Sequence, residues 1–557
     1  MAEQMTETGG TAIYFHPDAI EGDGRELVGR RSAGSSFLKG YLEHAGGDTL
    51  RIVTDVANAG ATFEKTVRAM GETRPIEALS LKTGASLAPA GTIFFPTPGY
   101  QQAPWLRMRQ GMNSASFVGI THTVSTRRII EGLHSLLAQP VQPWDAIICT
   151  SRAVKSVVAT QLEAESRFYM DRFGASRVPV PQLPVIPLGI ATGDFVPRDG
   201  ARAALRGRFD VPEDAIVVMT MGRLSVVEKA NLTPLVIALE QVADRTGKDI
   251  HLWVTGWTKR EDEEALHHEA LDRLCHRVEA RILDGREPDL RRDIWAAADI
   301  FTLPVDSIQE TFGLAPVEAM AAGLPVVMPD WDGFRDTVLN GKTGFLVPTR
   351  TMPPGTGDVL AQRFANGQDG YLQHLALVQA QVQIDVPAYA DALERLITDA
   401  ELRARMGAQG QAHVRASLDW SVVIPQYLDL AAALAEQRRQ AKPERRVNPM
   451  AIDPFTLYRE YPSGHIRADD RVRLNGTPGK EDIELHDKLS ARQLYHRHPV
   501  PLDQLHIACT MLGQHGEVSV AELAELMKMK VTRAMVIVMM LAKSDMVRFA
   551  TGPRPDQ

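Results

Sequence analysis

The stretch ETFGLAPVEAMAAGLPVV, residues 310–327, decides the fold class and holds the densest group of candidate functional residues. One apolar run, Ile300–Leu303, precedes it and another, Pro325–Met328, ends it, with a helical pattern from about Gly313 between them. A strand, a crossing helix and a second strand of this kind predict a parallel βαβ unit. Functional groups of such units lie beyond the carboxyl ends of the strands.

The same alternation extends along the chain in both directions, with short apolar runs separated by longer helical patterns. Six strands are predicted in the first half, at Ala12–Phe15, Leu50–Asp55, Thr92–Phe95, Phe117–Thr121, Ala146–Cys149 and Pro184–Pro187. Six more are predicted in the second half, at Ile216–Met221, Ile250–Thr255, Arg281–Leu283, Ile300–Leu303, Pro325–Met328 and Gly344–Val347. Continuous apolar strands indicate parallel sheets covered on both faces. The pattern therefore predicts two doubly wound, Rossmann-like α/β domains that face each other across a cleft.

The composition is typical of a folded globular protein. The 557 residues include 61 Lys and Arg against 69 Asp and Glu, a net charge of −8, which does not favour a general nucleic-acid binder. Three cysteines lie far apart, so neither a zinc site nor a disulfide framework is predicted. The amino-terminal sequence lacks signal-peptide features, and the most apolar tract, Ala534–Ala542, is far shorter than the roughly 20 residues of a spanning helix. We expect a cytoplasmic protein, with peripheral contact at the inner membrane face as an open alternative.

Breaker residues and composition divide the chain into four regions. We expect residues 1–197 to form one domain and residues 198–435 a second, joined near FVPRDGA, residues 195–201. An insertion is predicted at 349–388, beginning with a loop rich in Pro and Gly at Thr349–Gln368, and the last helices of this domain are candidates to cross back to the first. Residues 436–481 are predicted as a basic, polar linker and residues 482–557 as a helical module.

The helical module has the element order of a winged helix. Helices are predicted at Leu502–Leu512, at Val520–Met527 capped by Ser519, and at Ala534–Ala542 capped by Thr532, with a strand at Val547–Ala550. The third helix is apolar nearly all round, which favours burial over a DNA-reading role, so no nucleic-acid partner is expected. A homodimer through this module is an open alternative. The basic stretch at 437–447 is interpreted as a solvated linker, with anionic lipid as the other interpretation.

Two carboxylates eight residues apart, Glu310 and Glu318, carry the chemistry of the central stretch. Glu310 is predicted at the entrance of a helix and Glu318 about one and a half turns inside it. The free N–H groups of a helix start bind anions such as phosphate, and Gly313 lets a phosphate approach the backbone closely. A carboxylate accepts hydrogen bonds from two sugar hydroxyls, so the pair suits a polyhydroxylated ligand. The simpler interpretation of the pair alone is a surface helix with two solvated acids.

The surrounding motifs favour a functional role for the two glutamates over two solvated acids, because together the motifs resemble a known family. Residues 310–318 resemble the Glu-x7-Glu signature of retaining GT-B glycosyltransferases of the family-four type (glycosyl transferases group 1), which includes sucrose synthases and phosphatidylinositol mannosyltransferases. Other elements match in order, namely Gly222-Arg-Leu224 before Lys229, Ala296-Ala-Ala-Asp299-Ile-Phe, Gly341-Lys-Thr-Gly344-Phe-Leu-Val347, Thr121-His122 and Ile186-Pro-Leu-Gly-Ile190. Ala230 and Leu188 depart from the usual Gly and Asn. The resemblance covers about residues 12–435 and is most specific over 215–348.

The resemblance implies that residues 1–197 form the acceptor-side domain and residues 198–435 the donor-binding domain. It also implies roles for individual residues. Arg223 and Lys229 would bind the donor diphosphate, Glu310 the donor sugar hydroxyls and Glu318 the nucleotide ribose. The remaining donor-binding candidates are Gly222, Thr311, Phe312, Gly313 and Leu314, of which the last four supply backbone amides at the helix start. His122 would lie near the transferred sugar. Gly34, in the glycine-bearing loop expected after the first strand, would lie near the donor phosphates and the acceptor.

The implied activity is transfer of a hexose, with retention, from a nucleotide-diphosphate sugar to a hydroxyl of a carbohydrate or lipid-linked acceptor, in polysaccharide or glycolipid assembly. The family is usually described by same-face attack, in which the leaving diphosphate accepts the acceptor proton, and it needs no metal. We therefore expect no cofactor, although Asp330-Trp-Asp332 has the Asp-x-Asp pattern of a metal site in another fold. A disaccharide synthase or phosphorylase, and a catalytically idle sugar-nucleotide sensor or scaffold, are the alternatives.

Overall fold

The computed structural model describes residues 10–17, 29–81, 86–258, 260–444, 446, 448–489 and 500–552, with the side chains of residues 29–33 outside this description. The chain divides into two compact units, Met1–Asn448 and Pro449–Gln557. The first unit contains both predicted α/β domains.

The first domain is built on a parallel six-stranded sheet of order β3-β2-β1-β4-β5-β6. Its strands are β1 (Thr11–Tyr14), β2 (Leu50–Thr54), β3 (Ile76–Ser80), β4 (Thr92–Phe95), β5 (Ser116–Ile120) and β6 (Ala146–Ile148). Its helices are α1 (Gly29–His44), α2 (Ala59–Ala69), α3 (Ala103–Gln110), α4 (Arg127–Ala138) and α5 (Arg152–Phe173). Two apolar clusters cover the two faces of the sheet, as the continuous apolar strands predicted.

Five of the six strands predicted in this domain are confirmed, and one is wrong. The segment Pro184–Pro187 joins β6 only through an isolated bridge between Cys149 and Val185, because the two prolines have no N–H to donate to a ladder. The sequence pattern missed β3, which lies at the sheet edge and is only half-buried, so it lacks a continuous apolar run.

The second domain repeats the architecture with a sheet of order β12-β11-β10-β7-β8-β9, also parallel throughout. Its strands are β7 (Ile216–Arg223), β8 (Ile250–Trp257), β9 (Glu279–Asp284), β10 (Ile300–Thr302), β11 (Val326–Pro329) and β12 (Gly344–Val347). Its helices are α6 (Ala201–Arg208), α7 (Thr233–Thr246), α8 (Glu261–Leu274), α9 (Pro288–Ala297), α10 (Leu314–Ala321) and α11 (Phe334–Thr337). All six strands predicted here are confirmed, and the order of each sheet is that of the Rossmann fold.

The segment after β12 is more ordered than its composition predicted. A short antiparallel ribbon of β13 (Thr349–Arg350) and β14 (Gln383–Ile384) encloses two helices, α12 (Asp358–Ala365) and α13 (Tyr371–Gln379). The predicted loop over Thr349–Gln368 is therefore wrong in its second half. The Pro and Gly breakers lie at residues 353–357 and at Gly367, and DVLAQRFA between them contains none, so the chain forms α12.

The last three helices of the first unit are α14 (Val386–Thr398), α15 (Ala400–Ser417) and α16 (Trp420–Gln440). Helix α16 crosses back to the first domain, where its Trp420 and Tyr427 pack against Phe37 of α1 at ring-centroid distances of 5.8 and 5.5 Å. The indole of Trp420 also donates to the Ser36 hydroxyl at 2.9 Å. The core of the first domain is therefore completed by the last helix of the second.

The second unit is a small α/β module. A three-stranded antiparallel sheet of order β16-β15-β17 is formed by β15 (Arg471–Leu474), β16 (Val518–Ser519) and β17 (Val547–Phe549). Its helices are α17 (Pro454–Leu457), α18 (Lys480–Leu489), α19 (Leu502–His515), α20 (Val520–Leu526) and α21 (Val531–Ala542). Ser519 and Glu522 form a capping box for α20, whereas Thr532 is not a cap, because α21 already begins at Val531 after Lys530.

The predicted linker and the possibility of a membrane-spanning helix can both be compared with the structure. Residues 436–481, predicted as a linker, contain the end of α16 and the whole of β15. Across the described parts of the chain, no helix is both long and apolar enough to cross a lipid bilayer.

Candidate functional site

A cavity of about 990 Å³ lies in the first unit where the carboxyl ends of both parallel sheets meet. The loops after β5, β7 and β10 and the ends of β8 and β9 contribute to its wall. The predicted site residues that line it are His122, Gly222, Arg223, Lys229, Glu310, Thr311, Phe312, Gly313, Leu314 and Glu318. The structure thus brings ten of the eleven candidates together in one interdomain cleft.

Gly34 is the exception. The glycine-bearing loop predicted around it is wrong, because these residues belong to helix α1. Phe37, Leu38 and Tyr41 recur at helical spacing and pack against the sheet, and this burial overrides the glycines. Gly34 borders a separate apolar cavity of about 70 Å³, whose lining shares His122 with the cleft.

Glycines form the floor of the cleft at the ends of three neighbouring strands. Gly222 on β7 is in register with Gly256 on β8, and the N–H of Gly285 donates to the Gly256 carbonyl at 3.0 Å. A Cβ on Gly256 would lie 2.0 Å from the Gly222 carbonyl oxygen. Only glycine therefore fits here, and a ligand can approach the backbone directly.

Two of the cations that line the cleft, Lys229 and Arg223, are each held by acidic or amide groups. The Lys229 ammonium lies 2.5 Å from Glu310 Oε2, with the two side chains only 20 % and 14 % exposed. Arg223 Nη1 lies 3.1 Å from Glu228 Oε2. With the Gln309 amide turned so that its oxygen faces the guanidinium, that oxygen accepts from Arg223 Nη2 at 2.7 Å. Both positive charges are thus fixed in place at the cleft wall.

The two glutamates of the central motif differ in their electrostatic environment. Burial raises the pKa of Glu310, but the charge and hydrogen bond of Lys229 and the N–H groups of Thr311 and Phe312 outweigh it, so the pKa lies below its ordinary value. Burial raises the pKa of Glu318 to about 7, against weaker opposing effects of Lys229 and Arg291. Glu310 is therefore ionised at neutral pH, whereas Glu318 titrates close to it.

The raised pKa of Glu318 also fixes how this carboxyl affects stability. Its folded-state pKa lies above the ordinary value of 4.5. Its contribution to folding is therefore fully present below about pH 4.5 and is lost as the pH rises through about 7.

The Asp330-Trp-Asp332 triplet does not present two adjacent carboxylates to the cleft. Asp330 accepts from Arg335 Nε at 2.8 Å, and Trp331 donates to the Ser307 carbonyl at 3.2 Å. Burial and the nearby charge of Glu310 raise the pKa of Asp332 to about 8. Within the described residues, no group of three or more His, Cys, Asp or Glu side chains is arranged to hold a metal ion.

Helix α10 begins directly at the cleft. Gly313 precedes it with φ +78°, and a Cβ there would lie 2.2 Å from the buried ring of Phe334. Leu314 and Ala315, the first residues of the helix, line the cavity. The left-handed glycine thus turns the chain so that a helix start, with its unpaired N–H groups and positive dipole end, faces the cleft.

Replacing Gly313 with alanine is expected to destabilise the fold by about 3 kcal/mol, because the left-handed backbone and the contact with Phe334 both oppose a Cβ. Thermal or urea unfolding measures this change. Gly132, inside α4, is the matched control, because a Cβ added there would meet no atom within 4 Å. Gly132→Ala should therefore be neutral or stabilising. Equal stability of the two variants would contradict the assignment.

Hydrogen bonds join the two domains across the cleft. The Ser151 hydroxyl, at the start of α5, donates to the Thr311 carbonyl at 2.9 Å. The Thr311 hydroxyl donates to the His122 carbonyl at 3.1 Å. Arg152 Nε lies 2.5 Å from Asp336 Oδ1. These contacts hold the central motif against the first domain, so the cleft is bounded on both sides.

Sequence reasoning missed several residues that line the cleft. Glu228 and Gln309 each directly precede a predicted residue, so their position beside Lys229 and Glu310 was a usable signal. Trp257 directly follows the glycine at the end of a predicted strand. Tyr371 gave no local signal, because it reaches the cleft only through the folding of the segment after β12.

Comparisons with known proteins identify one family model and several proteins that are similar to this chain. Residues 215–366 match the family model described as Glycosyl transferases group 1. The chain is 28 % identical over 350 residues to the D-inositol 3-phosphate glycosyltransferase of Xylanimonas cellulosilytica, a match that covers 61 % of this chain and 72 % of that protein. It is 27 % identical over 332 residues to the phosphatidyl-myo-inositol mannosyltransferase of Mycobacterium leprae, covering 59 % and 69 %. The crystal structure of Anabaena HepE in complex with UDP aligns with a TM-score of 0.48 at 16 % identity, covering 76 % of this chain and 100 % of that one.

Proposed function

We propose, from the premise that residues 215–366 form a group 1 glycosyltransferase domain within a GT-B fold, that this chain transfers a hexose from a nucleotide-diphosphate sugar to an acceptor hydroxyl. We further propose that the anomeric configuration is retained and that no metal takes part. The cytoplasmic location, a homodimer through residues 482–557 and peripheral membrane contact stay predictions from the sequence.

One observation carries the proposal. A single cleft is lined by two cations, by the start of a helix and by two carboxylates whose pKa values differ. Arg223, Lys229 and the amides at the start of α10 suit a diphosphate, since they supply positive charge and N–H donors without acceptors. Glu310 and Glu318 suit sugar and ribose hydroxyls, because an ionised carboxylate accepts two hydrogen bonds at once.

In the proposed reaction, the bond between the anomeric carbon and the β-phosphate oxygen breaks, and a bond to the acceptor oxygen forms on the same face. The acceptor proton passes to the departing diphosphate. Negative charge grows on that diphosphate as it leaves, and the fixed charges of Arg223 and Lys229 stabilise it there. Glu310 is paired with Lys229 at 2.5 Å, which suits a carboxylate that orients the sugar rather than one that attacks it.

Exclusion of water would protect the donor from hydrolysis. The hydrogen bonds from Ser151 to Thr311 and from Thr311 to His122 join the two domains beside the predicted sugar position. We propose that His122 lies next to the transferred sugar and that the acceptor enters from the first domain. The proposed acceptor is a carbohydrate or a lipid-linked acceptor, and the names of the curated relatives add inositol phosphates to the candidates.

A donor screen tests this function. Purified protein is mixed with UDP-, GDP- and ADP-sugars without added metal, and thermal shift and nucleotide release are followed. Stabilisation by one donor, with slow release of its nucleotide that speeds up when an acceptor such as an inositol phosphate is added, is the expected result. Failure of all donors to bind or turn over would overturn the proposal and direct the next screen to sugar phosphates and free disaccharides.

The raised pKa of Glu318 predicts a pH dependence of nucleotide affinity. Since the carboxyl must be ionised to accept two ribose hydroxyls, affinity for the nucleoside diphosphate selected by the screen should rise about tenfold between pH 6 and pH 8. Calorimetry measures the affinity at each pH. Terminal phosphate also titrates near pH ~6, so Glu318→Gln, which removes only the carboxyl titration, is the control. If Glu318→Gln shows the same dependence of nucleotide affinity on pH as the wild type, the ribose-binding role given to Glu318 is contradicted.

A further inference from the structure

The segment between β13 and β14 reaches the cleft, although it belongs to neither sheet. Tyr371, the first residue of α13, lines the cavity together with Arg223, Glu228 and Gln309. None of the family motifs described above includes this segment. Its contacts are therefore additional to those of the motifs.

A series of hydrogen bonds connects Tyr371 to the predicted diphosphate site and to the other domain. The Tyr371 hydroxyl lies 2.9 Å from the hydroxyl of Ser125, a buried residue of the loop after β5. It lies 3.2 Å from the Gln309 amide, whose oxygen in the satisfied orientation accepts from Arg223 Nη2 at 2.7 Å. One hydroxyl thus touches the first domain directly and the Arg223 guanidinium through a single amide.

Both ends of the segment are anchored, so Tyr371 is not on a free loop. At the far end of α13, the buried Gln379 amide donates to the Val226 carbonyl at 2.7 Å and also contacts Asp306. Val226 belongs to the loop that carries Lys229, and Asp306 to the loop that carries Glu310. Helix α13 therefore braces both loops that hold the charged residues of the site.

A second contact ties the segment to the first domain. The guanidinium of Arg127, the first residue of α4, donates to the carbonyls of Phe364 and Ala365 at the end of α12. The same guanidinium lies 5.5 Å from the centroid of the Phe364 ring. The segment is thus attached to the first domain at α12 and at Tyr371.

We propose that Tyr371 is a positioning residue that couples closure of the cleft to the placement of Arg223. The Ser125–Tyr371 contact forms only when the two domains are together. It then fixes Gln309, which holds the Arg223 guanidinium where the leaving diphosphate develops charge. This inference rests on the proposed function for its role in turnover, whereas the contact itself is independent of that function.

The test removes the hydroxyl and keeps the ring. Tyr371→Phe is expected to lower kcat for release of nucleotide from the donor chosen by the screen by about tenfold, because one hydrogen bond that positions the Arg223 cation is lost. Affinity for the nucleoside diphosphate alone should change less than about threefold, since Arg223 keeps its charge and its Glu228 partner. Ser125→Ala should have the same effect, and the double variant should be no worse than either single one.

Tyr389→Phe is the matched control, because it removes another buried tyrosine hydroxyl, bonded to Thr302, from outside the cleft. Additive effects of Tyr371→Phe and Ser125→Ala, wild-type kcat in Tyr371→Phe, or an equal loss in Tyr389→Phe would each overturn the inference.

Amide hydrogen exchange separates failure of this inference from failure of the proposed function. In both Tyr371→Phe and Ser125→Ala, the amides of residues 306–310 should exchange faster than in the wild type, with no change in Tyr389→Phe. If the wild type turns over no donor, the proposed function fails, while the exchange result still decides whether the Ser125–Tyr371 contact holds the loop. Unchanged exchange in both variants would overturn the inference by itself.

Discussion

Replacing Lys229 with alanine is expected to lower turnover of the nucleotide-diphosphate sugar by about 10³-fold. The ammonium is one of two cations at the predicted diphosphate position, and loss of a single preorganised charge-stabilising group typically costs about 10²–10³-fold in kcat. A second effect adds to the first. Glu310, paired with Lys229 at 2.5 Å and only 14 % exposed, would be left as a buried carboxylate without its cation.

Because that buried carboxylate also destabilises the fold, the loss of turnover must be separated from a loss of folded protein. The double variant Lys229→Met with Glu310→Gln removes both charges and should recover thermal stability without recovering turnover. Lys248→Ala, which removes an exposed lysine of the same domain, should behave as wild type in both measurements. Turnover by Lys229→Ala within about threefold of wild type would contradict the role given to Lys229.

Replacing Glu310 with glutamine is expected to lower turnover by about 10²-fold while leaving affinity for the nucleoside diphosphate unchanged or higher. The amide keeps the shape of the side chain but not the charge that orients the donor sugar. Lys229 loses its anionic partner at 2.5 Å, so its charge is more available to the diphosphate. The two variants should therefore differ in their affinity for the nucleoside diphosphate. Lys229→Ala should weaken both binding and turnover, whereas Glu310→Gln should weaken turnover alone.

Calorimetry with the nucleoside diphosphate and initial rates with the intact donor distinguish these outcomes. A wild-type rate in Glu310→Gln would show that turnover does not need the Glu310 carboxylate, and it would contradict the role given to this residue. Weaker nucleotide binding in Glu310→Gln would show that Glu310 contacts the nucleotide rather than the sugar, and it would reverse the roles given to Glu310 and Glu318.

Much of the fold was predictable because both sheets are parallel and buried on both faces. Such strands are continuous apolar runs, and the runs at Ile216–Met221 and Ile250–Thr255 stand out from the helical patterns around them. The charged candidates were predictable for a related reason. Each follows the end of such a strand, where residues distant in sequence converge on one cleft.

The elements that were not predicted share a physical cause. Their structure is determined by tertiary contacts rather than by the local sequence. Edge strand β3 is only half-buried, so its sequence carries little apolar signal. Helix α1 forms despite its glycines because α16 buries its apolar residues, and Phe37 packs against Trp420. Helix α16 lies far from α1 in the sequence, near the carboxyl end of the first unit. Tyr371 enters the site through the segment between β13 and β14, which no spacing rule connects to the cleft.

The return of α16 to the first domain has a consequence for how the protein is made. Trp420, Tyr427 and Leu434 occupy the core that β1, β4 and α1 share. While the ribosome is still synthesising the second domain, that core lacks its covering helix and exposes apolar surface. The first domain therefore cannot complete its folding during synthesis until α16 has been made. Nascent chains that are interrupted before residue 420 should bind chaperones or be degraded by proteases rather than fold.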